Sequence, residues 1–168
     1  MLTEAVLALA LQFQPWVMAA SHANWNTYDK TAWMAGLIHT ESTWNPKARS
    51  PTNAKGLGQW TTIARKQVCR LDVRLCRFDP YDAKSSIKAT GVYLVYLESL
   101  HYRQSDCEKH KRATACYNGG CGLVASAVRR FGNDWPQKIK AETRKYLPRV
   151  FKFEASYIKA GWPGVAVC

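Results

Sequence analysis

The chain has 168 residues, 47% of them hydrophobic, enough to bury roughly two-thirds of its unfolded surface in one domain without a metal or a second subunit. Its net charge of +12, from 24 Lys+Arg against 12 Asp+Glu, attracts polyanions. The basic residues are scattered, with no run of five and no nucleic-acid module signature, which argues against a dedicated nucleic-acid binder; among the other polyanions, anionic lipid or the acidic polymers of a cell envelope, charge alone does not choose.

In chain order, Ala5 to Leu11 is an apolar run too short to cross a bilayer. Glu4 stands where a signal peptide carries basic residues, and Ser21-His22-Ala23 is only a fair cleavage site, so residues 1–24 read as an N-terminal helix packed on the domain. Trp33, Met34, Leu37 and Ile38 recur at helical spacing and put Glu41 in the last turn of a second helix. There the negative end of the helix and the neighbouring Trp44 and Trp60 raise the pKa of a carboxyl, favouring a proton donor near neutral pH. A Gly-rich turn, Gly56-Leu57-Gly58-Gln59, follows.

Beyond it, a short hairpin is the most β-structure that Cys69 to Phe78 allows. Asp79-Pro80 reads as the start of a helix running through Val92, Leu94, Val95 and Leu97 to about Tyr102. Another helix ends at Gly119-Gly120, one covers Leu123 to Phe131, and the last begins near Asp134-Trp135-Pro136 and bends at Pro148. The class is mostly α, a single domain over 1–168. Six cysteines, even in number, fit work outside the reducing cytoplasm. Cys69 and Cys76 form the nearest local pair; Cys107 can meet Cys116 or Cys121, Cys168 completes the set, and free buried thiols are the alternative. No Cys-X-X-Cys or His pair stands at ligand spacing, so no metal is expected. His39, His22, His101 and His110 read as structural or surface residues.

Four short strings then occur in a telling order. Glu41-Ser42, with Ser50 and Gly56-Leu57-Gly58-Gln59, comes first. Phe78-Asp79-Pro80 leads into Ile87, Gly91, Tyr93-Leu94 and Leu97; Ala115-Cys116-Tyr117-Asn118-Gly119-Gly120 follows; Glu142-Thr143-Arg144-Lys145-Tyr146 is last. Over residues 29–155 this resembles the soluble lytic transglycosylases, enzymes with a lysozyme-like helical fold that cleave peptidoglycan glycan strands. Gly58 departs from the family, which usually has Met or another large apolar residue there, and Trp60 replaces an aliphatic one.

The resemblance implies cleavage of the β-1,4 bond between N-acetylmuramic acid and N-acetylglucosamine, with formation of 1,6-anhydromuramic acid and no cofactor. Glu41 would be both acid and base. Ser50 and Gln59 would bind substrate near the cleavage point, Tyr117 would orient Glu41 or the sugar's acetamido group, Asn118 would shape its turn, and Glu142 would lie near the cleft. Each also has a plainer reading: Ser50 capping the turn before Pro51, Gln59 satisfying loop backbone, Tyr117 packing in the core, Glu142 making solvated pairs. A goose-type lysozyme hydrolase requires a second carboxylate, for which Asp72 is the candidate. A wall- or membrane-binding protein without turnover is the reading from another class. The expected setting is the periplasm or wall of a bacterium, reached by a monomer of the kind found among bacteriophage endolysins and virion-borne wall enzymes.

Overall fold

The computed structural model describes residues 2–167. The N-terminal helix expected over 1–24 is two helices, α1 (Glu4–Leu11) and α2 (Gln14–Trp25), because Pro15 in the first turn of α2 starts a new helix rather than continuing the old one. Ala10 is buried, and Leu2, Val6, Leu7 and Leu9 pack against the main core, so α1 is part of the fold.

Helix α3 (Thr31–Ser42) is the axis of the molecule. Nine consecutive residues, Thr31 to His39, are buried, as expected of a helix enclosed on every side rather than one lying on a surface. Its most extensive partner is α9 (Ala141–Lys159), which contains Pro148 within its span. The two approach so closely at Gly36 that a Cβ there would stand 2.6 Å from the Glu154 backbone N and 2.7 Å from the Val150 carbonyl. Between these in sequence come α4 (Thr62–Leu71), α5 (Ala83–Ser99), α6 (Asp106–Gly119), α7 (Cys121–Phe131) and the short α8 (Trp135–Lys138). Helix α5 packs on α2 and α6, and α6 also meets α7 and α9.

One expectation about the middle of the chain is corrected, the helix start at Asp79-Pro80. The segment between Cys69 and Phe78 stays within the limit of at most a short hairpin: a 3₁₀ turn at Val73–Leu75 follows α4, capped by Asp72, whose carboxylate accepts the Arg74 N–H at 3.0 Å. Only isolated β-bridges, Arg49 with Lys55 and Lys55 with Trp60, occur among the described residues. Helix α5 is capped by Asp82, which accepts the Ser85 N–H at 2.8 Å, while Asp79 accepts the Tyr81 N–H in the turn before it.

The main core runs from Ala10 to Trp162, and a smaller one of Trp60, Val68, Leu75, Phe78 and Ala89 lies beneath α4. A Cys69–Cys76 disulfide closes the latter. The other described bridge joins Cys116 to Cys121, stapling the end of α6 to the start of α7, so Cys107 pairs with neither. No described cysteine is a free thiol, and Cys168 lies outside the described residues.

Candidate active site

Glu41 is the penultimate residue of α3, with its carboxyl partly buried on the side that meets α9. Tyr146, on the second turn of α9, donates its hydroxyl to Glu41 Oε1 at 2.5 Å. Burial is the dominant influence and lifts the Glu41 pKa from 4.5 to about 7; the Tyr146 hydrogen bond and the Arg149 charge pull the other way, and Glu142 adds a small upward push. Desolvation therefore wins over the groups that favour the anion. The tyrosines respond in turn: burial and the Glu41 charge hold the hydroxyls of Tyr146 and Tyr117 well above their ordinary pKa, so both remain donors.

The chain leaves α3 through backbone that side chains rarely adopt. Four of the five non-glycine residues with positive φ among the described residues, Thr43, Trp44, Asn53 and Gln59, lie in the loop between Glu41 and α4. Strain of this kind persists only where the surroundings over-determine it. Here Trp44 is anchored, its indole N–H donating to the Tyr157 hydroxyl, which also meets His39 Nδ1 at 3.0 Å. Burial lowers the His39 pKa to about 4, so this histidine beside the acid stays neutral.

The other residues expected in the site are placed as follows. Tyr117 donates to the Gly58 carbonyl at 2.8 Å, fastening α6 to the Gly-rich turn, and it is Tyr146 rather than Tyr117 that holds the Glu41 carboxyl. Asn118 accepts the Thr143 hydroxyl at 2.9 Å and so ties the third motif to the fourth. Ser50 Oγ accepts the Ala54 N–H at 3.0 Å, and Gln59 donates to the Gly56 carbonyl at 2.9 Å, so each has its polar group on its own loop. Glu142 is exposed and pairs with Lys140 at 3.4 Å.

Tyr146 ends the Glu142-Thr143-Arg144-Lys145-Tyr146 motif, but no periodicity in the sequence marks which of its residues turns toward Glu41. Asp72, the candidate second carboxylate, is engaged by Arg74 at 2.9 Å and by Lys88 at 3.8 Å, which hold its pKa below the usual range. It lines a cavity of about 280 Å³ with Trp16, Asn24 and Val92, away from the Glu41 carboxyl.

Trp60 is 1% exposed and belongs to the smaller core, where its indole donates to Ser86 Oγ at 3.0 Å. It is therefore no wall for a sugar. A Cβ at Gly58 would lie 2.7 Å from the Trp60 Nε1, 2.8 Å from the Tyr117 hydroxyl and 2.9 Å from Thr90 Oγ1. The two departures from the expected pattern therefore meet in space, as a volume exchange between them requires. His101 lies near Cys116 and Cys121, but those sulfurs are joined in a disulfide and are not available as thiolate ligands.

The chain is 39% identical over 95 residues to the membrane-bound lytic murein transglycosylase F of Shewanella halifaxensis, covering 56% of this chain and 18% of that protein. The namesake from Saccharophagus degradans is 32% identical over 162 residues, covering 84% of this chain and 30% of its own. The chain thus spans less than a third of the length of these curated relatives. Among solved structures, the 70 kDa soluble lytic transglycosylase of Escherichia coli matches at a TM-score of 0.72 with 21% identity, covering 85% of this chain and 24% of that one. A complex of the 70 kDa soluble lytic transglycosylase with bulgecin A matches at a TM-score of 0.80 with 20% identity, covering 95% and 26%. These likenesses establish the fold. Residues 18–140 match the transglycosylase SLT domain, and the chain belongs to that family.

Proposed function

We propose that this protein is a peptidoglycan lytic transglycosylase that cleaves the β-1,4 bond between N-acetylmuramic acid and N-acetylglucosamine. The observation that carries the reading is the Glu41 carboxyl, lifted to about 7 by burial and aligned by Tyr146. A carboxylic acid that keeps its proton near neutrality protonates the leaving glycosidic oxygen. The acetamido group of the muramic acid stabilises the cationic centre. Glu41, now a carboxylate, takes the proton from the C6 hydroxyl of the same sugar as that oxygen closes the 1,6-anhydro ring, and no water is consumed. Because the nucleophile belongs to the bound sugar, the second step gains the high effective concentration of an intramolecular reaction.

In this reading Tyr146 positions the acid, and Tyr117 with the Gly58 carbonyl fixes the turn that supports the sugar. Ser50 and Gln59 meet substrate through whatever hydrogen-bonding capacity their loop contacts leave. Asn118 holds the motifs together, and Glu142 sits on the rim of the cleft. The disulfides support action outside the reducing cytoplasm, in the periplasm or wall, and the excess of basic residues supports contact of a monomer with the anionic envelope.

Mass spectrometry of muropeptides released from purified peptidoglycan tests the reaction. Products with 1,6-anhydro ends from the wild type and none from Glu41→Gln are expected. Reducing ends would instead assign a hydrolase, and no products from either protein would leave a binding module.

A further inference from the structure

Glu142, Tyr146 and Arg149 stand at offsets of zero, four and seven along α9 and so form one stripe of that helix, the stripe that reaches Glu41. Tyr146 is buried in its centre, while Glu142 and Arg149 are exposed on either side. Glu142 has Lys140 as partner. Arg149 has no hydrogen bond or ion pair among the described residues.

Unpaired cations are common here, with 13 Lys+Arg against 5 acids in residues 101–168. Arg149 differs from the rest in place: among the described residues it is the one cation whose field acts on Glu41, and it also reaches His39 and Tyr146. By itself this works against the acid, because a neighbouring positive charge favours the carboxylate. The arrangement becomes useful once something negative covers the guanidinium. Muramic acid carries such a group near the cleaved bond, since its lactyl arm bears the peptide stem and the stem bears carboxylates.

We infer that Arg149 is a substrate-binding residue whose guanidinium receives a carboxylate of the peptide stem, so that the site prefers strands with acidic stems. The inference rests on the proposed function and names a contact within it. A planar guanidinium pairs with a carboxylate through two parallel hydrogen bonds, which a lysine does not reproduce. The contact also couples binding to chemistry: the bound carboxylate cancels the Arg149 field and returns Glu41 toward its protonated form as the sugar arrives. The other groups facing this pair are His39 from α3, Glu142 and Tyr146 from α9, and Tyr117 from α6. His39 is neutral above about pH 4 and both tyrosines keep their protons, so of these groups Glu41 is the one lifted to titrate near neutrality.

The test compares glycan strands bearing free D-glutamate carboxylates in their stems with the same strands amidated at that position. Wild type should favour the acidic strands in kcat/KM by about ten-fold, the order expected of one charge-assisted pair. Arg149→Gln should bring the two substrates together, chiefly through KM, and Arg149→Lys should recover part of the preference. Calorimetric binding of the two muropeptides to Glu41→Gln, with and without Arg149→Gln, reads the contact independently of turnover. Equal effects of Arg149→Gln on both substrates, or no effect, would overturn the inference. A wild type that releases no anhydro products would overturn the proposed reaction, and the binding arm would still decide the role of Arg149.

Discussion

At the residue scale, Glu41, the proposed acid, illustrates how a buried carboxyl costs stability. Its folded pKa, about 7, lies above the unfolded 4.5, so the folded chain holds this proton more tightly. The stability linked to it is complete below pH 4.5 and is lost as pH rises through 7, by about 3 kcal/mol. Glu41→Gln should therefore be inactive yet more stable than wild type by roughly that amount at pH 8, with the gain vanishing toward pH 4; urea unfolding at the two pH values measures it. Tyr146→Phe removes a donor that lowers the acid's pKa, so the alkaline limb of the kcat/KM profile should move to higher pH while kcat falls about ten-fold from poorer alignment. An unmoved limb would mean that Tyr146 only packs.

Much of this site is legible in the residues. An acid after an enclosed apolar helix and before a glycine turn announces itself in Glu41, whereas Tyr146 is chosen by the crossing of two helices far apart in sequence, which no local pattern encodes. Ser50 and Gln59 carry the motif, but where their side chains point depends on backbone angles such as the positive φ of Gln59.

At the element scale, the seam between α3 and α9 is set by Gly36. Alanine there would gain up to about 1 kcal/mol of helix propensity, but its Cβ would meet backbone atoms of α9 that cannot yield unless the helices part. Gly36→Ala should thus destabilise by about 1–3 kcal/mol and weaken activity as well, read by thermal unfolding and initial rates. Gly58→Ala should be destabilising too, and Trp60→Leu added to it should restore part of the loss. A double variant no better than the sum of the two single variants would refute the volume exchange. Reducing Cys69–Cys76 should cost about 2 kcal/mol through the entropy of its short loop.

Most helices follow from hydrophobic spacing, and the differences lie at their ends. Asp79-Pro80 has the composition of a helix start, yet Asp82 three residues later competes for the same task and wins because its side chain reaches the Ser85 N–H. Between Cys69 and Phe78, where the sequence allows at most a short hairpin, the disulfide and the Asp72 cap close a 3₁₀ turn instead.

At the scale of the whole molecule, the charge of +12 acts at a distance. Attachment to walls rich in anionic polymer should fall steeply between low salt and about 0.15 M, where the screening length is about 8 Å, while attachment to walls stripped of that polymer should change little. Pull-down at graded ionic strength measures this, and a flat response would assign binding to the groove alone.

The position of Glu41 in the seam of α3 and α9 has a further consequence for how the proposed activity would be lost. Catalytic groups on mobile loops commonly lose alignment well before a protein melts, because loops open at little cost. Here the Glu41 carboxyl, the proposed proton donor, and the Tyr146 hydroxyl that meets it are fixed to the two most extensively packed helices among the described residues. Heat inactivation should therefore coincide with the cooperative loss of the near-ultraviolet tryptophan signal. On the proposed function, the protein should have almost no temperature range in which it is folded and idle.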